Sequence, residues 1–180
     1  MEQRIVGPDT VRMLELGHPW VIADSFTRRW PKGKAGDLVQ LTDERGKQLA
    51  TALLDPADRI VARVLSYKPM QLDRNWLRKR FQAAIILRER YADLLETTAY
   101  RLVNAEGDGL SGLTVDRYAD YLMVQVYCEG WRPHLRLITS ELQELLQPTG
   151  IYEKARPQNT RELEAVSEGK TYGRLLAGTA

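Results

Sequence analysis

Residues 100–127, YRLVNAEGDGLSGLTVDRYADYLMVQVY, restrict the fold more than any other stretch of the chain. They divide into three extended segments. Residues 100–104 form the first, and the loop 106–112 follows. Residues 113–118 alternate apolar and polar side chains, and Ala119-Asp120 makes a short turn. Residues 121–127 are rich in β-branched and aromatic side chains. Period-two alternation broken by two residues predicts a β-hairpin.

The loop contains Gly107-x-Gly109-x-x-Gly112, the spacing of a dinucleotide-binding turn. That chemistry needs a buried strand before the glycines and a helix after them, so that helix N–H groups face a phosphate. Here Asn104-Ala105-Glu106 precedes the glycines and the strand pattern LTVDRY follows. The glycines therefore read as turn residues with φ > 0 between strands.

The run RLVNAEGDGLSGLTVDRY resembles the signature R-L-(I/V)-x-x-E-x-D-G-L-x-G-(L/I)-(T/V)-(I/V)-D-R-(Y/F) of one enzyme family. These are the bacterial AdoMet-dependent rRNA large-subunit methyltransferases that modify cytosine C5. In that family the signature lies in a central domain, between an N-terminal PUA domain and a C-terminal catalytic domain. The resemblance implies an α+β chain. A small, mostly-β PUA pseudobarrel would occupy residues 1–70, and an α+β central domain of ββ-α-β type residues 71–180.

The 180 residues suffice for one medium domain or two small ones, and 43% hydrophobic with 28% charged residues is ordinary for a soluble globular protein. No apolar run approaches the roughly 20 residues of a membrane span, so no membrane partner is expected. One cysteine, Cys128, excludes an internal disulfide, and a cytoplasmic setting is expected. Residues 1–70 hold 11 basic and 9 acidic side chains, and residues 71–180 hold 15 of each. A nucleic-acid footprint must therefore come from local clustering.

In chain order, a first strand at residues 4–6 ends at Gly7-Pro8. Asp9 or Thr10 would N-cap a short helix over 11–16, and Gly17 would stop it. His18-Pro19-Trp20-Val21-Ile22 starts an extended segment, with Trp20 in the core. A basic, turn-rich loop over 28–36 precedes strands at 37–42, 48–54 and 60–65. Gly-His-Pro-Trp after the first helix, and Gly-Asp-Leu-Val opening the later strands, are similar to the family's PUA domain. PUA domains bind structured RNA, so the resemblance implies an RNA surface around the first helix and its neighbouring loops. The candidate contacts are Arg12, His18, Arg28, Arg29, Lys32, Lys34 and Arg59, whose cations would neutralise phosphates. An exposed Trp30 would stack a base. The same basic residues also fit a plain solvated surface. The turn 55–59 departs from the family, whose members tend to carry Asn and Ser or Gln there.

Residues 68–73 read as a linker, with Asp73 or Asn75 as the cap of a helix over 76–95. Leu77, Phe81, Ala84, Ile85, Arg88, Ala92 and Leu95 fall at helical spacing. Arg78, Lys79, Arg80, Arg88 and Arg90 crowd the remaining surface, more as a solvated face than as RNA contacts. Trp131-Arg132-Pro133 opens another helix, with Leu135, Ile138, Leu142, Leu145 and Leu146 as its apolar stripe. Residues 151–154 read as a strand and 170–176 as a last one. The run 156–162 differs from the family's Arg-Lys-Lys-Glu-Gly-like segment.

Cytosine C5 methylation needs a cysteine thiolate, a methyl donor in a pocket and an acid. In the family these lie in the C-terminal domain, and none of its motifs occurs in these 180 residues. Cys128 beside Glu129 is a poor nucleophile, because a neighbouring carboxylate raises a thiol's pKa. His18 and His134 lack zinc-site spacing, so no metal is expected. No catalytic and no cofactor-binding residue is therefore assigned; AdoMet is implied for the full-length family only. Whether these residues are an enzyme by themselves stays open, with a non-catalytic role favoured.

The expected function is the RNA-binding, substrate-recognition portion of an AdoMet-dependent rRNA methyltransferase, ahead of a catalytic domain absent from this stretch. The expected partner is structured large-subunit rRNA, and a homodimer is allowed. The alternative is a free-standing RNA-binding or assembly protein without catalytic activity. A third reading makes Glu106, Asp108 and Asp116 acid/base groups of a small-molecule enzyme, against which stands a solvated turn.

Overall fold

The computed structural model describes residues 1–91, 97–154 and 173–179. Two five-stranded sheets account for its strands, and the chain finishes the first before starting the second.

The first sheet is built from β1 (Glu2–Ile5), β2 (Trp20–Ile22), β3 (Leu38–Thr42), β4 (Gln48–Leu54) and β5 (Ile60–Ser66), in the order β1-β3-β4-β5-β2. The β3–β4–β5 meander is antiparallel, and β1 joins its edge parallel to β3. Helix α1 (Pro8–Glu15) follows β1. The helix starts earlier than the expected Asp9 or Thr10 cap. Gly7 is the N-cap with extended backbone, and Pro8 takes the first helical position, where its missing N–H costs nothing. Its end was readable. Gly17 takes φ +84°, with Gly17 N–H donating to Leu14 O and His18 N–H to Met13 O, the paired bonds of a Schellman stop. Val6, Leu14, Val21, Val39, Leu41 and Val64 pack into the first core.

Helix α2 (Arg74–Tyr91) leads to the second sheet. Asp73 is its cap, accepting the Trp76 N–H at 2.8 Å. The helix begins two residues before the expected Trp76. The expected continuation to Leu95 lies outside the described residues. Strands β6 (Ala99–Asn104), β7 (Leu113–Tyr118) and β8 (Tyr121–Val126) form the antiparallel unit read from the sequence. Tyr118 opposes Tyr121 across the Ala119-Asp120 turn, where Ala119 has φ +51°. A 3-10 turn over Glu129–His134, instead of a regular helix opening, places Pro133 ahead of α3 (Leu135–Leu146). Then β9 (Gly150–Lys154) runs parallel to β8, and β10 (Gly173–Gly178) closes the order β10-β9-β8-β7-β6. The earlier part of the expected last strand, 170–172, lies outside the described residues, as does the polar run 156–168.

Leu77 and Phe81 of α2, with Ile138 and Leu142 of α3, are buried in the second core together with Val115, Val124 and Trp131. An ion-pair brace joins the two helices: Glu141, fully buried, is held by Arg74 and Arg78, and Glu144 pairs with the same two arginines. This second core also contains Leu53 and Leu65 from the first sheet. The two sheets therefore share apolar contact across a packed seam. The architecture is α+β, mixed sheets with few helices.

Candidate nucleic-acid interface

Four of the expected cations leave the fold on one loop between β2 and β3. Asp24 builds its first half. The Asp24 carboxylate accepts the N–H groups of Phe26 at 2.9 Å and Thr27 at 2.8 Å, while Thr27 Oγ1 accepts the Asp24 N–H at 2.8 Å. This pair fixes a 3-10 turn, Thr27–Arg29, which projects Arg28 and Arg29 into solvent. The Arg29 guanidinium lies 4.6 Å from the centre of the Phe26 ring, an attraction that orients it. Phe26 in turn fills the space beside Gly7, where a Cβ would meet its ring at 2.6 Å.

In the second half, Asp37 Oδ2 accepts the Lys34 N–H at 2.7 Å and the Asp37 N–H donates to Lys34 O at 3.1 Å. Lys32 and Lys34 are exposed. Arg59 joins this group from the β4–β5 turn, because its carbonyl accepts the Ala23 N–H at 2.8 Å. The carboxylates of this region serve the backbone or an ion pair, and Asp24 and Asp37 keep their charge. Asp24 and Asp37 accept backbone N–H groups, and Asp58 pairs with the buried Arg63 at 2.8 Å. Arg28, Arg29, Lys32, Lys34 and Arg59 are all exposed, on this loop and on the turn hydrogen-bonded to it at Ala23, and are called the cationic rim below.

Arg12 and His18 lie outside that loop, on α1 and on the segment that follows it. Arg12, on α1, lines an open hollow of about 280 Å³ with Asp43, Glu44 and Arg45 of the β3–β4 turn. His18 is half-buried. Its Nδ1 accepts the Trp20 N–H at 3.3 Å, and its ring meets the Trp20 ring edge-on at 5.5 Å.

Two tryptophans depart from expectation. Trp20 is only partly buried and is not a core residue of the first sheet. Its indole Nε1–H donates to Glu106 Oε1 at 2.9 Å, reaching into the loop before β7. Trp30 is half-buried, packs on the first core and donates its indole N–H to Ile5 O at 2.7 Å. A ring held this way fixes the loop and is not a free platform for a base.

The glycine loop behaves as a turn. Gly109 and Gly112 take φ +69° and +80°, and the chain enters β7, so no helix N-terminus faces a phosphate. Residues Ala105–Asp108 form a 3-10 turn. Its acids have structural partners. Asp108 accepts both guanidinium N–H groups of Arg88 at 2.7 Å, which removes Arg88 from any RNA surface. Asp116 pairs with Arg101 at 2.7 Å. Burial pushes the Glu106 carboxyl up, but hydrogen bonds from Trp20, its own backbone and Ser111, with the Arg63 charge, outweigh it and hold the group below the usual range. Such a carboxylate stays ionised and is a poor proton donor at neutral pH.

Cys128 is buried, and that burial is what pushes its thiol up, with the Asp55 charge adding to it against Arg63. The direction matches the expectation from Glu129, but the cause is desolvation. Among the described residues no three His, Cys, Asp or Glu side chains gather as a metal site. No helix among them is long and apolar enough to cross a membrane.

The seam between the sheets has no local signature in the sequence. Asp55 Oδ2 accepts the Glu129 N–H at 2.8 Å, Arg80 donates to Leu65 O at 3.4 Å, and His134 Nε2 donates to Gly36 O at 2.9 Å. The three bonds join residues 74, 15 and 98 positions apart in sequence, so no local pattern announces them.

A PUA-like domain family matches residues 5–67. Ribosomal RNA large subunit methyltransferase I of Tolumonas auensis is 35% identical over 170 residues, 93% of this chain and 43% of that protein. A ribosomal RNA large subunit methyltransferase of Deinococcus radiodurans is 40% identical over 125 residues, 67% of this chain and 31% of the relative. A solved Streptococcus mutans chain assigned as a SAM-dependent methyltransferase superposes with TM-score 0.80 at 25% identity, covering 100% of this chain and 44% of that one. The chain spans less than half the length of the relatives it matches. With its N-terminal PUA-like domain, this chain is a homologue of the ribosomal RNA large subunit methyltransferase I family over most of its length.

Proposed function

We propose that this chain is the RNA-recognition portion of an AdoMet-dependent rRNA (cytosine-C5) methyltransferase, and that it binds structured large-subunit rRNA in the cytoplasm. Residues 1–70 act as the PUA-like module and residues 71–180 as a central domain. The observation that carries this reading is the cationic rim of Arg28, Arg29, Lys32, Lys34 and Arg59, exposed on a loop whose backbone is fixed by Asp24, Thr27 and Asp37. A fixed array of cations suits a phosphate backbone, since contacts to phosphates set position and register. Arg12 and His18, which do not belong to this loop, take a secondary place.

The glycine loop does not fit AdoMet. The glycine loop leads into β7, and its acids are engaged by Trp20, Ser111, Arg88 and Arg101. Methyl transfer is assigned to the additional length that the relatives possess.

Binding to a large-subunit rRNA fragment, compared with an unrelated RNA of equal length, tests the proposal. Arg28→Ala/Arg29→Ala should weaken binding to the cognate fragment about tenfold or more, in line with the loss of two phosphate contacts. Equal affinity of the double variant and the parent would remove the rim from the interface.

A further inference from the structure

The basic loop is not held by its own sheet alone. Its last residue, Gly36, is buried with φ +94°. The Gly36 N–H donates to Leu54 O at 3.0 Å, and the Gly36 carbonyl accepts His134 Nε2–H at 2.9 Å. His134 ends the 3-10 turn whose first residue, Glu129, donates its N–H to Asp55. No side chain fits between the two backbones. A Cβ on Gly36 would lie 2.7 Å from Pro133 Cγ and 3.0 Å from Gly130 O, and one on Gly130 would lie 2.8 Å from Leu54 O. The His134 ring packs edge-on against Trp131, 6.3 Å between centres, and the fully buried Trp131 donates its indole N–H to Ser111 O at 2.8 Å. A continuous path therefore runs from the second core through Trp131 and His134 to Gly36. Two residues before Gly36, Lys34 leaves the surface.

We infer that His134 is a positioning residue for RNA. It does not touch the nucleic acid, since its ring is turned to Gly36 and Trp131. It fixes the point at which Lys32 and Lys34 depart, so that these two lysines meet the phosphates in one register with Arg28 and Arg29. The inference rests on reading the cationic loop as an RNA contact. Physically, the tether removes loop conformers before binding. Without it, each lysine contact carries an additional ordering cost.

The experiment uses the 180-residue chain and a large-subunit rRNA fragment, with Kd followed against salt. The slope of log K against log salt reports the number of phosphates neutralised, at roughly 0.7 to 0.9 per phosphate. His134→Ala should weaken binding at low salt by about five- to tenfold and make the slope shallower by the equivalent of roughly one to two phosphates. His134→Gln, whose amide N–H reaches the same carbonyl, should restore both quantities. Gly36→Ala should behave as His134→Ala. Gly46→Ala, at a similar φ of +81° but facing open space, should bind as the parent does. A variant that is merely less folded loses active fraction and keeps its slope.

Parent-like Kd and slope in His134→Ala, with binding lost in Arg28→Ala/Arg29→Ala, would overturn the positioning role and leave the RNA reading standing. A loss in His134→Ala that His134→Gln does not repair would reduce His134 to packing. No loss in either the arginine or the histidine variants would remove the RNA reading and the inference together.

Discussion

Trp20 and Glu106 are 86 residues apart in the chain and share a 2.9 Å hydrogen bond, indole Nε1–H to carboxylate Oε1. Ser111 Oγ donates to the same oxygen at 2.8 Å. A strand of the first sheet and the loop of the second are thus tied to one anion.

Glu106 is held below the usual carboxylate range in the folded chain. Its contribution to stability is present above the unfolded pKa and is lost as pH falls through the folded one. Trp20→Phe should cost about 1 kcal/mol at pH 7, the worth of a partly exposed hydrogen bond. The gap between variant and parent should narrow as pH drops below the carboxylate range. Urea midpoints from neutral to acid pH check this, and a gap constant with pH would contradict it.

Asp55 has the opposite sign. Burial pushes its carboxyl above the ordinary 3.8, with the Glu129 N–H opposing and the Asp58 charge adding. The folded state then binds more protons just above the ordinary value, so stability from this group falls as pH rises through that window. Asp55→Asn keeps an oxygen for the Glu129 N–H and removes the charge. It should be at least as stable as the parent at pH 7 and should flatten this slope. A loss above about 1 kcal/mol at pH 7 would show that the charge itself is needed.

Arg88 and Asp108 form a two-bond ion pair with both side chains largely buried, 14% and 5% exposed. Arg88→Ala removes the counter-ion and leaves Asp108 the Asn104 N–H, and it should cost about 3 kcal/mol in denaturant unfolding. Arg88→Lys should recover only part of it, because an ammonium cannot make the planar double contact. A cost below 1 kcal/mol would mean that solvent reaches Asp108.

Gly112 and Gly46 isolate packing from backbone strain. Both have φ near +80°, but a Cβ on Gly112 would lie 3.1 Å from Arg63 Cδ and 3.2 Å from Cys128 Sγ, whereas Gly46 faces open space. Alanine at Gly46 should cost about 1 kcal/mol. Alanine at Gly112 should cost roughly 1–3 kcal/mol more, as overpacking does. Thermal unfolding of the two variants compares them directly.

Local features of the fold were legible. Alternation gave β7 at its observed bounds, Gly17 marked the stop of α1, and the β4 run lay between turn residues. The cationic loop was visible as Arg28-Arg29 followed by Lys32 and Lys34. What stayed hidden depends on partners distant in sequence. Trp20 looks like any core tryptophan until Glu106 comes beside it. Trp30 is claimed by Ile5, and His134 reads as an isolated histidine until Gly36 meets it. The start of α1 differs from the expected one for a local reason. Asp9 and Thr10 are better side-chain caps than Gly7, but Pro8 has no N–H to satisfy.

The most direct measurement is the salt dependence of binding between this chain and a large-subunit rRNA fragment. If all five rim cations engage phosphates, log K should fall against log salt with a slope of roughly −3.5 to −4.5. Arg28→Ala/Arg29→Ala should make that slope shallower by roughly 1.4 to 1.8. No binding at low salt, or a slope near zero unchanged in the double variant, would contradict an RNA-recognition role for the cationic rim.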